Sequence, residues 1–167
     1  RPAMGKTAFV LSMAKNMAID HNSPVAIFSL EMSNQELVQR LVINVSEIPG
    51  EKIKRGDLST AEWKQLQTRI ECLESAPIYI DDTANMSISE LCSKARRLSS
   101  ERGIKCIIID YLQLMKSEKQ SKDGNRQQEV ADLTRAIKLA ARELGVPILL
   151  LSQLNRESEK RTDKTPQ

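Results

Sequence analysis

Short apolar runs and amphipathic helical stretches alternate from one end of this chain to the other. That alternation restricts the fold to a mostly parallel sheet with crossover helices on both faces, an α/β architecture. Val25-Ala26-Ile27-Phe28-Ser29 reads as a buried strand, Pro77-Ile78-Tyr79-Ile80 as another that ends in Asp81-Asp82, and Val146 to Ser152 as the last. Cys106-Ile107-Ile108-Ile109-Asp110 is the most apolar run and is therefore placed centrally.

The helices announce themselves by period and by caps. Residues 6–19 carry Phe9, Val10, Met13, Met17 and Ile19 as an apolar stripe. Ser33 with Glu36, Ser59 with Glu62 and Ser87 with Glu90 each have capping-box spacing. They open helices running to about Glu47, over 60–74 and over 88–102, the last stopped by Gly103. Arg126 to Leu144 repeats Val130, Leu133, Ile137 and Leu144 on one face and closes at Gly145. Lys116 to Asn125 is polar and reads as a mobile loop, and Asn155 to Gln167 is charged and aperiodic. The expected organisation is one core over 1–154 and a tail over 155–167 that leads into further elements.

Composition narrows the function classes. At 167 residues and 40% hydrophobic content the chain suits one domain with a substantial core. It lacks the apolar run of roughly 20 residues that a membrane-spanning helix needs. No basic-then-apolar leader opens it, and Cys72, Cys92 and Cys106 have no metal-type spacing, so free thiols in a reducing cytoplasm are expected. His21 is the one histidine, which rules out a His-based triad or zinc site. A net charge of +3 permits a nucleic-acid partner. Aromatic content of 3% argues that any strand would be held by backbone amides and Lys/Arg rather than by stacked rings.

Four places carry chemistry. Arg1-Pro2-Ala3-Met4-Gly5-Lys6-Thr7 fits the last seven positions of the phosphate-loop pattern G-x-x-x-x-G-K-[ST]. Gly5 lets N–H groups curl round a phosphate at the positive end of the following helix. Lys6 reaches the β- and γ-phosphates of ATP, and the Thr7 hydroxyl ligates Mg²⁺. Ile107-Ile108-Ile109-Asp110 has the form of a Walker-B strand, its carboxylate emerging at the C-terminal edge to support the metal. Glu31, in Ser29-Leu30-Glu31-Met32, could polarise the attacking water. Gln153, after Leu149-Leu150-Leu151-Ser152, could bond the γ-phosphate, although an ordinary strand-end Gln fits the spacing equally well.

Together these blocks closely resemble the C-terminal motor domain of bacterial replicative DNA helicases, the DnaB family, with its RecA-like P-loop NTPase core. Ser29-Leu30-Glu31-Met32-Ser33, Gln39-Arg40-Leu41, Tyr79-Ile80-Asp81-Asp82-Thr83, Asp110-Tyr111-Leu112-Gln113-Leu114-Met115, Asn125-Arg126-Gln127 and Leu151-Ser152-Gln153-Leu154-Asn155-Arg156 carry the resemblance, which covers essentially the whole chain. It implies that Arg40 lies beside the nucleotide and that Glu31 activates water. It also implies that Gln153 senses the γ-phosphate and that residues 116–125 face a central channel. Family members form homo-hexameric rings on single-stranded DNA, and a primase and a helicase loader are implied as partners.

The chain departs from the family pattern at its ends: the strand before the phosphate loop is not present, and the family's arginine finger lies beyond Gln167. The isolated chain is therefore expected to be a weak ATPase, since such a finger contributes roughly 10³–10⁵ in rate. Two other readings stand beside the helicase. One is a RecA-like recombinase or clock-type ring ATPase without unwinding, and the other is a nucleotide-binding assembly module without turnover.

Overall fold

The computed structural model describes residues 5–110 and 126–152, with residues 126–129 described by their backbone alone. The expectations for Arg1 to Met4, for Tyr111 to Asn125 and for Gln153 with the tail lie outside the described residues. Helix α1 spans Lys6–Lys15 and continues into a π-helical turn, Asn16–Asp20. After it come β1 (Val25–Ser29), α2 (Asn34–Ser46), α3 (Gly50–Arg55), α4 (Thr60–Ser75), β2 (Ile78–Asp81), α5 (Ile88–Arg102), β3 (Cys106–Asp110), α6 (Arg126–Leu144) and β4 (Ile148–Leu150).

The four strands form one parallel sheet in the order β2-β1-β3-β4. β1 and β3 are buried at every position, so the apolar runs face protein on both sides. Strand alternation divides the core in two. Ala26, Phe28, Ile107 and Ile109 pack with Leu91 and Ala95 of α5 and Leu133 and Ile137 of α6. Val25, Ile27, Cys106 and Ile108 pack with Val10, Leu11 and Ala14 of α1 and Leu37 and Leu41 of α2. The expected α/β sandwich with helices on both faces is what these residues build.

The caps work as the spacing predicts. Ser33 and Ser59 each close a full capping box with Glu36 and Glu62, and Ser87 accepts from the Glu90 N–H. Gly103 ends α5 at φ 61, in the left-handed region where a Cβ is disfavoured. No helix among the described residues is long and apolar enough to cross a membrane.

Three details differ from the expectation. The stripe of the first helix is rotated: Val10, Leu11, Ala14 and Ala18 are buried, whereas Phe9 is 68% exposed. Ala14 packs into the core on this face of the sheet, and the π turn shifts the phase of the residues after Lys15, which buries Ala18. Helix α3 starts within Pro49-Gly50, a pair that ordinarily marks a turn, with Pro49 as its N-cap and Gly50 as its first residue. Finally β4 is shorter than Val146 to Ser152, because Pro147 has no N–H to give the ladder and contributes only its carbonyl, to Ile107 N.

Candidate functional site

All four strands run parallel, so their C-terminal ends share one edge of the sheet. At that edge the neighbours β1 and β3 send the chain to opposite faces, β1 into α2 on the α1 side and β3 towards α6 on the α5 side. Such a divergence opens a crevice at strand ends, the usual ligand position in open α/β sheets. The register pairs Ser29 with Asp110 across this crevice.

Gly5 stands at the N-cap of α1 with φ 77, and a Cβ built there would meet nothing within 4 Å. The glycine is needed for the backbone turn rather than for lack of room. Gly5 has no side chain with which to cap α1, and the first turn holds no acidic residue, so among the described residues no carboxylate of that turn offsets the partial positive charge of this helix end.

Thr7, in that first turn, donates from Oγ1 to Oδ2 of Asp110 at 2.9 Å. Asp110 is 3% exposed, so the bond joins a nearly buried carboxylate to the first turn of α1. The Lys6 ammonium donates to the Ser152 carbonyl at 3.2 Å, which brings it to the end of β4, one residue before Gln153.

Glu31 is exposed, two residues past β1, in a turn fixed at several points. Leu30 N donates to Asp110 O at 2.7 Å, while the buried Ser29 hydroxyl donates to Met32 O and accepts from Met32 N. Arg40 is also exposed, on α2, and no ion pair joins it to Glu31 among the described residues. Lys6, Thr7, Asp110 and the Glu31 turn thus converge on one edge. Ser29, whose hydroxyl closes the turn, and Ser152, which receives Lys6, were not singled out from the sequence. Nothing in the spacing of a strand-end serine distinguishes it from a surface one.

The residues present fit a magnesium–nucleotide complex. Hydroxyl and carboxylate oxygens are the hard ligands that Mg²⁺ takes, and one or two of them suffice when phosphates and water supply the rest. The uncapped helix end and the Lys6 ammonium supply positive charge for the phosphates.

The profile of the DnaB-like helicase C terminal domain matches residues 1–167. The chain belongs to that family. It is 47% identical over 99% of its length to replicative DNA helicase DnaB of Geobacillus stearothermophilus, and 46% identical to replicative DNA helicase DnaC of Bacillus subtilis (strain 168). It spans 36% of the length of each of these relatives. Among solved structures it is similar to that of an ATPase domain, with a TM-score of 0.88 and 38% identity over 99% of this chain and 59% of that one. A DnaB-like replicative helicase, solved in a study of its interactions with primase, superposes with a TM-score of 0.89 at 38% identity over 99% of this chain and 40% of that one.

Proposed function

We propose that this chain is the ATP-hydrolysing core of a replicative DNA helicase that couples hydrolysis to translocation on single-stranded DNA and to unwinding. The Thr7–Asp110 hydrogen bond carries the reading, because it brings together, across 103 residues, the hydroxyl and the carboxylate that this reading gives to magnesium. In this reading Gly5 and the N-terminus of α1, with Arg1 to Met4, bind the phosphates, Lys6 holds the β- and γ-oxygens, and Thr7 and Asp110 hold Mg²⁺. Magnesium held by these two residues would supply charge neutralisation for the transferring phosphoryl group. Glu31 orients and deprotonates the attacking water, Arg40 lies beside the nucleotide, and Gln153 senses the γ-phosphate. By likeness to its relatives the protein works as a homo-hexamer in the cytoplasm with primase and a helicase loader as partners.

Replicative helicase relatives at 46–47% identity favour this reading over a recombinase, a clock-type ATPase or an assembly module. Strand displacement by the full-length protein tests it. Unwinding of a forked duplex should require hydrolysable nucleotide and Mg²⁺ and should be abolished by Lys6→Ala. Nucleotide hydrolysis without any displacement would overturn the helicase reading.

A further inference from the structure

The end of β2 approaches the turn that carries Glu31 through a contact the site described above does not use. Asp82, just after β2, accepts a hydrogen bond on Oδ2 from the backbone N–H of Asn34, the first residue of α2, at 2.8 Å. Ser33 N, the neighbouring donor, is taken by Glu36 within the capping box. The Asn34 N–H is one of the N–H groups that a helix start leaves without an intrahelical partner, and a carboxylate there also meets the positive end of the helix. Asp82 is itself held. Asp81 accepts from Thr83 N at 3.0 Å and pairs with Lys94 at 2.8 Å, and Lys94 of α5 also donates to the Thr83 hydroxyl. The Glu31 turn is therefore fastened to β3 at its start, through Leu30 N and Asp110 O, and to β2 at its finish, through Asn34 N and Asp82.

We propose that Asp82 is a positioning residue for nucleotide hydrolysis, acting by fixing the start of α2 and so the reach of Glu31 towards the crevice. The proposal rests on Glu31 being the base. A fastening at both ends of a short turn restricts where its middle can go, and a displacement near 1 Å at a reacting group can cost on the order of 100-fold in rate. Asp82 bonds to the start of α2 and not to the groups assigned to phosphate or metal, so it should affect turnover and leave nucleotide binding alone.

The test uses the full-length protein and its DNA-stimulated ATPase. Asp82→Ala should lower kcat by on the order of 10-fold to 100-fold with KM for ATP and the affinity for magnesium–ADP unchanged. Asp82→Asn, which keeps an acceptor oxygen, should recover much of the loss. Asn34→Pro removes the same bond from the other side: proline is tolerated at the first helical position, and Ser33 before it is already extended at ψ 155. It should reproduce the kcat loss, keep the melting temperature near wild type, and add nothing to Asp82→Ala in the double variant. Wild-type kcat in Asp82→Ala, additive losses in the double variant, or a parallel fall of kcat, nucleotide affinity and melting temperature without recovery by Asp82→Asn would each overturn the proposal. Glu31→Gln is measured beside them, and undiminished turnover there removes the base assignment itself, whatever the Asp82 variants do.

Discussion

Thr7 and Asp110 are 103 residues apart in sequence and 2.9 Å apart in space, and their hydrogen bond closes the sheet edge between the first helix and the central strand β3. Asp110 is nearly buried, so its oxygen depends on that hydroxyl. Thr7→Val keeps the shape and deletes the donor. It should cost about 1.5–3 kcal/mol of unfolding free energy, the range for a hydrogen bond to a charged group, and weaken magnesium-dependent nucleotide binding. Thr7→Ser should restore both. Urea denaturation and a fluorescent-nucleotide titration with and without Mg²⁺ read the two effects.

Glu31 shares the sheet edge with the Thr7–Asp110 pair, but the proposed roles differ: the pair holds the metal and Glu31 acts on water, so binding and chemistry should separate on mutation. In the full-length protein Glu31→Gln should bind nucleotide normally and hydrolyse it roughly 10²–10⁴-fold more slowly, the usual contribution of a general base. Lys6→Ala should instead lose affinity along with turnover. Single-turnover hydrolysis beside equilibrium binding distinguishes the two variants, and equal losses of affinity in both would overturn the division of roles.

Acid should act on the α3–α4 junction. Glu62 caps α4 and pairs with Lys52 of α3 at 2.7 Å; that partner and the Ser59 cap lower its carboxyl from 4.5 to about 2. A lowered folded-state value means that the contribution to stability is fully present above the ordinary glutamate range. It is lost as pH falls from about 4.5 towards 2. The melting-temperature gap between wild type and Glu62→Gln should therefore be widest near neutral pH and shrink through that window. A gap independent of pH would show that the ionised carboxylate contributes nothing beyond its shape.

Core and surface apolar residues should part company sharply. Ile108 is fully buried in β3, and Ile108→Ala should cost about 2–5 kcal/mol. Phe9, adjacent in sequence to buried Val10 but exposed, should cost no more than about 0.5 kcal/mol when changed to Ala. Chemical denaturation of the two variants side by side checks the contrast.

The parts of this structure that were legible in sequence are those fixed by local chemistry. Capping serines with glutamates three positions on, β-branched runs ending in aspartate, and glycines after periodic helices each state their own structure. What escaped depended on tertiary geometry. The first helix hides small alanines and exposes a phenylalanine, an order that hydrophobicity alone inverts. Helix α3 has six residues with Ile53 as its only large apolar side chain, too few to show a period. At the site, Lys6, Thr7, Glu31 and Asp110 could be named from their patterns. The contacts of Ser29, Ser152 and Asp82 could not, because each depends on a partner distant in the chain or on a carbonyl that no side-chain pattern reveals.

The bonds of Lys6 to Ser152 and of Thr7 to Asp110 span 146 and 103 residues. During synthesis Lys6 and Thr7 leave the ribosome long before either partner exists. No competent pocket can form until β4 has been made and docked beside β3. Contacts of such long range close late and slowly. A nucleotide taken up as proposed would bind only the finished sheet, and by mass action it would stabilise that state against partly folded ones. On the proposed function, ATP would act on newly made chains as a folding ligand before it served them as fuel.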